Sequence, residues 1–103
     1  MLIVTSNDIP GKNFEALGLA RGSIVRAKHI GRDIRAGFKS IVGGEIRDYT
    51  ELMNEARDVA AARMIEHAKS LGADAIVAMR FETCSIMGGS SEVMAYGTAV
   101  KYN

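Results

Sequence analysis

One cysteine, one proline and almost no net charge limit what this 103-residue chain can be. A lone thiol, Cys84, cannot close a disulfide within the chain, which fits a reducing compartment. The 13 basic and 12 acidic side chains leave a formal charge of +1, too little to draw in a polyanion, so nucleic acid is not expected as a partner. No apolar run is long enough to span a bilayer, and Met1-Leu2-Ile3-Val4 passes at once into Thr5-Ser6-Asn7-Asp8 without the basic start and apolar stretch of an export signal. A membrane is therefore not expected as a partner either, and a cytoplasmic location is. What is present is globular in character: 48% hydrophobic and 24% charged residues. The length fits one domain, residues 1–103, without linker, repeat or low-complexity segment. A chain this short buries about two thirds of its unfolded surface, so a core built by one copy alone is modest.

Residues 2–5 form a short apolar run ending at SNDIPG, where asparagine, aspartate, proline and glycine favour a turn, and a first strand is predicted there. A second is predicted over residues 23–30, SIVRAKHI, with Arg26 and Lys28 on the face opposite Val25, Ala27 and His29. Residues 33–42 space Ile34, Phe38, Ile41 and Val42 as one face of a short helix, and Gly43 follows where a left-handed cap would sit. The strongest local signal is DYTELMNEARDVAAARMIEHAKSLG. Asp48 is placed to cap this helix and Glu51 to bond back to the cap. Met53, Ala56, Ala60, Met64 and Leu71 line one face; Glu51, Glu55, Asp58, Glu66 and Lys69 line the other, and Gly72 ends the helix. A third strand is predicted over 75–85, with Val77, Met79, Phe81 and Thr83 on one face and Ile76, Ala78, Arg80, Glu82 and Cys84 on the other. The fourth covers 92–102 and is apolar on both faces: Met94, Tyr96 and Val100 against Val93, Ala95 and Ala99. One helix covers one face of a small sheet, so the second face calls for another cover, and a further copy of the chain is expected to supply it. An aspartate at Val93 or Ala95 is expected to disperse such an assembly.

The stretches GRDIRAGFKSIVGG, IVGGEIRDYTELMNEARDVAAARM, LGADAIVAMRF and YGTAV together resemble the YbjQ family, which carries a heavy-metal-binding label without an established function. The resemblance covers nearly the whole chain, and the ordered set IVGG, EAR, LGADA and GTAV is specific. It implies an α+β subunit, an antiparallel sheet of about four strands packed on one long helix plus a short one. It also implies assembly into a homopentameric ring with a barrel-like arrangement of strands.

The label must be supported by ligands. Cys84 is the one soft ligand of high affinity, and the histidines, His29 and His67, lie far from it and from each other in sequence. Closed zinc sites take three or four ligands, commonly in pairs such as Cys-x-x-Cys, and no such pair exists here. Five copies of Cys84 around a pentamer axis would make a thiolate ring for a soft metal, so Cys84 is the candidate metal ligand. The competing reading is a strand cysteine that packs in the interior. His67 on the helix and His29 on a strand read as structural residues. The GGSS at 88–91 could offer backbone N–H groups to an anion, but phosphate loops feed a helix and here a strand follows, so a hairpin turn is the expectation. Gly43-Gly44 does precede a helix, but Glu45 and Asp48 would repel a phosphate there. Arg80 with Glu82, and Arg26 with Lys28, read as cross-strand pairs or solvated rims. The methionines are too scattered for a copper-binding cluster, and nothing calls for a cofactor or supplies a catalytic pair. The expectation is a non-enzymatic homopentamer with a binding or scaffolding role. The alternative is a heavy-metal or small-ligand binder with sites between subunits.

Overall fold

The computed structural model describes residues 1–27, 41–42 and 45–103. Along the chain lie β1 (Leu2–Ile3), β2 (Phe14–Ala27), β3 (Ile41–Val42), β4 (Glu45–Ile46), α1 (Arg47–Ser70), β5 (Ala75–Ile86) and β6 (Ser90–Tyr102). Four of the strands make one sheet in the order β1-β5-β6-β2, while β3 and β4 pair as a separate small hairpin. The architecture is α+β, as expected, but the sheet is mixed and not wholly antiparallel: β1 runs parallel to β5, pairing Leu2 with Ala75 and Ile3 with Ile76. This follows from the path of the chain, which leaves β1, crosses the end of the sheet and enters the opposite edge at Phe14. The sheet does not close on itself within the chain, so no barrel forms in one subunit.

Helix α1 lies mainly across β2 and β6. Its buried stripe is Ala56, Ala60, Met64 and Ala68, each 2% exposed or less. Small residues at four-residue spacing bring the helix axis close to the sheet, and Gly22 completes the approach. A Cβ at Gly22 would stand 2.5 Å from the Ala60 carbonyl oxygen and 2.6 Å from the Arg63 carbonyl carbon. Across the sheet, Ala20, Ile76, Met79, Val93, Ala95 and Ala99 complete this core. Full burial of a side chain the size of Met64, Ile76 or Val93 contributes ~1.5–3 kcal/mol, so the few large ones anchor a layer otherwise made of alanine. The helix ends as Gly72 predicts: with φ +82° at that glycine, the Gly72 N–H donates to Lys69 O (3.0 Å) and the Ala73 N–H to Ala68 O (3.1 Å), a Schellman closure. Leu71, expected on the buried face, lies past the last helical residue and is 40% exposed. Asp48 falls inside the first turn of α1, which opens at Arg47.

Two irregularities set the faces. Between Val77 and Arg80 the β5–β6 register shifts, with Ala78 at φ 53°. This bulge flips the alternation, so Met79 joins Ile76 on the helix side while Val77 stays on the other face. The expected grouping of Val77 with Met79 and Phe81 fails for that reason. The loop after β1 docks on the bulge: Ala78 N–H donates to Ser6 O (2.8 Å) and Met79 N–H to Val4 O (3.1 Å). A second shift lies in β2 between Ala16 and Gly18.

Strand β2 begins at Phe14, well before the predicted residue 23, and the predicted continuation through 28–30 lies outside the described residues. So do residues 33–40 of the predicted short helix, but its last two positions, Ile41 and Val42, are extended and pair with Ile46 and Glu45. Gly88 (φ 79°) and Gly89 (φ 76°) sit in the turn joining β5 to β6, so the GGSS stretch is a hairpin, with both serines already in β6. Among the described residues no helix is long and apolar enough to cross a membrane.

Candidate functional site on the open sheet face

Among the described residues, the sheet face away from α1 is covered only at one end. There Ile9 and Val4, from the loop after β1, pack with Ala75, Val77, Val100, Phe14 and Tyr102. The pairing of β2, β6 and β5 lays out the rest as successive cross-strand rows. Leu19 stands beside Thr98 and Val77, Arg21 beside Tyr96 and Arg80, Ser23 beside Met94 and Glu82, and Val25 beside Glu92 and Cys84. Leu19 and Val25 are 58% and 56% exposed. Met94 and Tyr96 are half-buried, shielded by their neighbours in the sheet. The face is thus a central strip of Met94 and Tyr96 with apolar residues at two corners and charges between.

Two pairs of polar side chains on this face meet across the strands. Tyr96 Oη donates to Glu82 Oε1 at 3.3 Å, and the Cys84 thiol points at Glu92 Oε1 across the strands at 3.7 Å. Arg80 Nη1 is drawn to the end of the sheet, donating to Thr5 O (3.0 Å) and Met79 O (2.8 Å). Cys84 is exposed and not packed in the interior, which corrects the expectation of a buried strand cysteine. The reason is the bulge and the hairpin: beyond Met79 every side chain of β5 is exposed, because α1 covers β2 and β6 instead.

The two ligand types are not brought together. His67 belongs to α1 and lies over the free edge of β2, where its Nδ1 accepts the Arg21 backbone N–H at 3.1 Å, while Cys84 is on β5, two strands away in the sheet. Beside it, Arg63 Nη1 donates to Ser23 O at 2.7 Å, so two helix side chains satisfy backbone groups at an edge that would otherwise be open. His29 lies outside the described residues. Among the described residues no three of His, Cys, Asp and Glu are grouped to hold a metal ion, so Cys84 with Glu92 is a two-donor pair. Arg26, expected in a cross-strand pair or a solvated rim, lies on the helix side and pairs with Glu55 of α1 at 3.2 Å, leaving Val25 on the opposite face. Val93 and Ala95, 2% and 0% exposed, are core beneath α1 and not a contact surface.

Cavities lined by described residues flank the sheet. One, about 40 Å³, opens between the first half of α1 and the hairpin end, walled by Tyr49, Leu52, Met53, Ala56 and Val93 with Arg26 and Ser91. Another, about 450 Å³, wraps the free edge of β2 and is lined by Arg21, Gly22, Ser23, Arg63, Glu92 and Met94. Sequence periodicity shows neither, since each is made by elements distant in the chain.

Among the described residues, one long helix on one side of a mixed four-stranded sheet, with the other side largely open, defines a small two-layer α+β subunit. A family model described as "Putative heavy-metal-binding" (YbjQ) matches residues 1–103, and the chain belongs to that family. It is 60% identical over 102 residues to a UPF0145 protein of Vibrio parahaemolyticus, covering 98% of this chain and 97% of that one. Similar matches are UPF0145 proteins of Psychromonas ingrahamii, at 59% identity with 98% and 97% coverage, and of Clostridium novyi, at 50% identity with 98% of each chain covered. The fold is shared with a crystal structure of a protein of unknown function of the DUF74 family from Pediococcus pentosaceus: TM-score 0.72, 15% identity, covering 100% of this chain and 98% of that one.

Proposed function

We propose that the chain is the subunit of a homopentameric ring with a non-enzymatic binding or scaffolding role, and that copies meet through the open sheet face. The observation that carries this reading is the exposure of Leu19 (58%) and Val25 (56%) on either side of the Met94–Tyr96 strip, on a face that the described residues cover only at one end. Exposed apolar residues at two corners of a sheet face mark it as a contact surface, and obligate interfaces bury on the order of 2,000 Å² or more. Two polar pairs on the face support binding over catalysis, because their groups are turned to one another: Tyr96 to Glu82 and Cys84 to Glu92. Sedimentation at micromolar concentration is expected to give one species near five subunits. A stable folded monomer would overturn the reading.

A second reading is favoured by one observation: the exposed Cys84 and the half-buried Glu92 are paired on the same face, so copies brought together there would add thiolates and carboxylates to a common site. Thiolate selects soft metals. This reading gives the ring a heavy metal held between subunits, and it is tested by the metal content of protein purified without chelator.

A further inference from the structure

We propose that the cavity of about 450 Å³ around the free edge of β2 binds a small molecule through an oxyanion, a phosphate or carboxylate group, clamped between Arg21 and Arg63. The inference does not rest on the ring, because one chain supplies every described lining residue, although Arg21, Ser23, Glu92 and Met94 belong to the face through which copies are proposed to meet. The volume falls in the range of small-molecule sites, roughly 300–1,000 Å³. Arg21 comes from the strand and Arg63 from the helix, so the two guanidinium groups reach one cavity from different elements. Among the described residues the Arg21 guanidinium has neither an ion-pair nor a hydrogen-bond partner; only its backbone N–H is engaged, by His67. Arg63 donates one N–H to Ser23 O at 2.7 Å, which steadies the side chain at the rim and leaves its other donors unassigned.

Charge decides the ligand class. Two guanidinium groups and one carboxylate line the cavity, and that carboxylate, Glu92, already faces the Cys84 thiol. The site is therefore net positive although the chain as a whole is nearly neutral. A planar guanidinium presents paired N–H donors that match two oxygens of a phosphate or carboxylate, and two arginines lining one cavity suit a single oxyanion. Met94 supplies an apolar wall for the rest of the molecule.

The test is titration of the full-length chain with sodium phosphate and, separately, sodium succinate, followed by amide NMR shifts at Arg21, Gly22 and Ser23, with sodium chloride at matched ionic strength as control. Saturable shifts that chloride does not reproduce are expected, and the tighter of the two anions names the oxyanion. Arg21→Gln, which removes no side-chain hydrogen bond found among the described residues, is expected to weaken binding about tenfold, the equivalent of one charge-assisted contact. Glu92→Gln is expected to tighten it by a few-fold. Equal affinity in native protein and Arg21→Gln, or shifts that chloride matches, would overturn the proposal. Sedimentation of the same samples separates this outcome from the fate of the ring: loss of anion binding in Arg21→Gln with assembly unchanged concerns the cavity alone.

Discussion

Gly22 on β2 lies directly under Ala60 on α1, so close that a Cβ on the glycine would stand 2.5 Å from the alanine's carbonyl oxygen. The obstacle is helix backbone, which cannot rotate aside like a flexible side chain. Gly22→Ala must therefore lift the helix from the sheet and loosen Ala56, Met64 and Ala68 with it. Overpacking of this kind costs ~1–3 kcal/mol or more, and in a domain of this size each kcal/mol moves Tm by about 4–8 °C. Thermal unfolding should show a drop on the order of ten degrees. An unchanged Tm would mean that the helix does not sit where described.

Helical spacing in the sequence revealed the long helix because its signals are local: an alanine stripe, acidic residues opposite and a glycine that takes a left-handed conformation. The final strand was equally legible, and its two faces, Met94 with Tyr96 and Val93 with Ala95, fell as alternation requires. The faces of β5 did not, because the bulge at Ala78 breaks the period of two and carries Met79 to the helix side; an alanine gives no warning of a left-handed turn. The first half of β2 was missed because Gly18 and Gly22 dilute the strand pattern, yet one is needed at a register shift and the other beneath the helix. Cys84 could be chosen as a candidate from its chemistry. That Glu92 stands beside it, or that Arg63 meets Arg21 at a cavity, depends on register and packing that no local pattern encodes.

The core and the open face separate in mutation. Val93→Asp places an unpaired charge among Ala56, Ala60 and Met64, at a cost of several kcal/mol. It should unfold the subunit, so loss of assembly in that variant says nothing about the interface. Leu19→Asp and Val25→Asp alter residues already more than half exposed in one chain. Their circular dichroism and Tm should stay near native while sedimentation shifts toward smaller species. Intact assembly in both variants would exclude this face as the contact between copies.

His67 and Arg63 shield the open edge of β2, accepting from Arg21 N–H and donating to Ser23 O. His67→Ala leaves the Arg21 amide to pair with water at an exposed edge, an expected loss of ~0.5 kcal/mol. Hydrogen exchange at Arg21 should accelerate at least several-fold while that of Ala95 and Ala99, inside the sheet, changes only by the global loss. His67→Asn, which keeps an acceptor on a shorter side chain, should recover part of the protection. Equal exchange at Arg21 in all three proteins would show that the histidine does not guard this edge.

Cys84 is exposed, with its thiol 3.7 Å from Glu92 Oε1. A hydroxyl at that position remains in reach of water and of the same carboxylate, so Cys84→Ser should change stability by no more than ~0.5 kcal/mol, the usual range for surface substitutions. The larger penalty of a buried, unpaired hydroxyl does not apply. With fold and assembly preserved, the substitution isolates the chemistry of sulfur. Native and variant protein, purified without chelator and dialysed alike, can be compared by elemental analysis. If the thiol and Glu92 pair only with each other, both proteins carry the same trace of metal. If thiols from neighbouring copies share an ion, the native protein holds zinc, cadmium or copper in a fixed ratio to the assembled ring, and the serine variant loses it because a hydroxyl is a poor ligand for soft metals. Glu92→Gln then divides the second outcome further: metal retained there assigns the ion to sulfur alone, and metal lost assigns it to the thiol and carboxylate together.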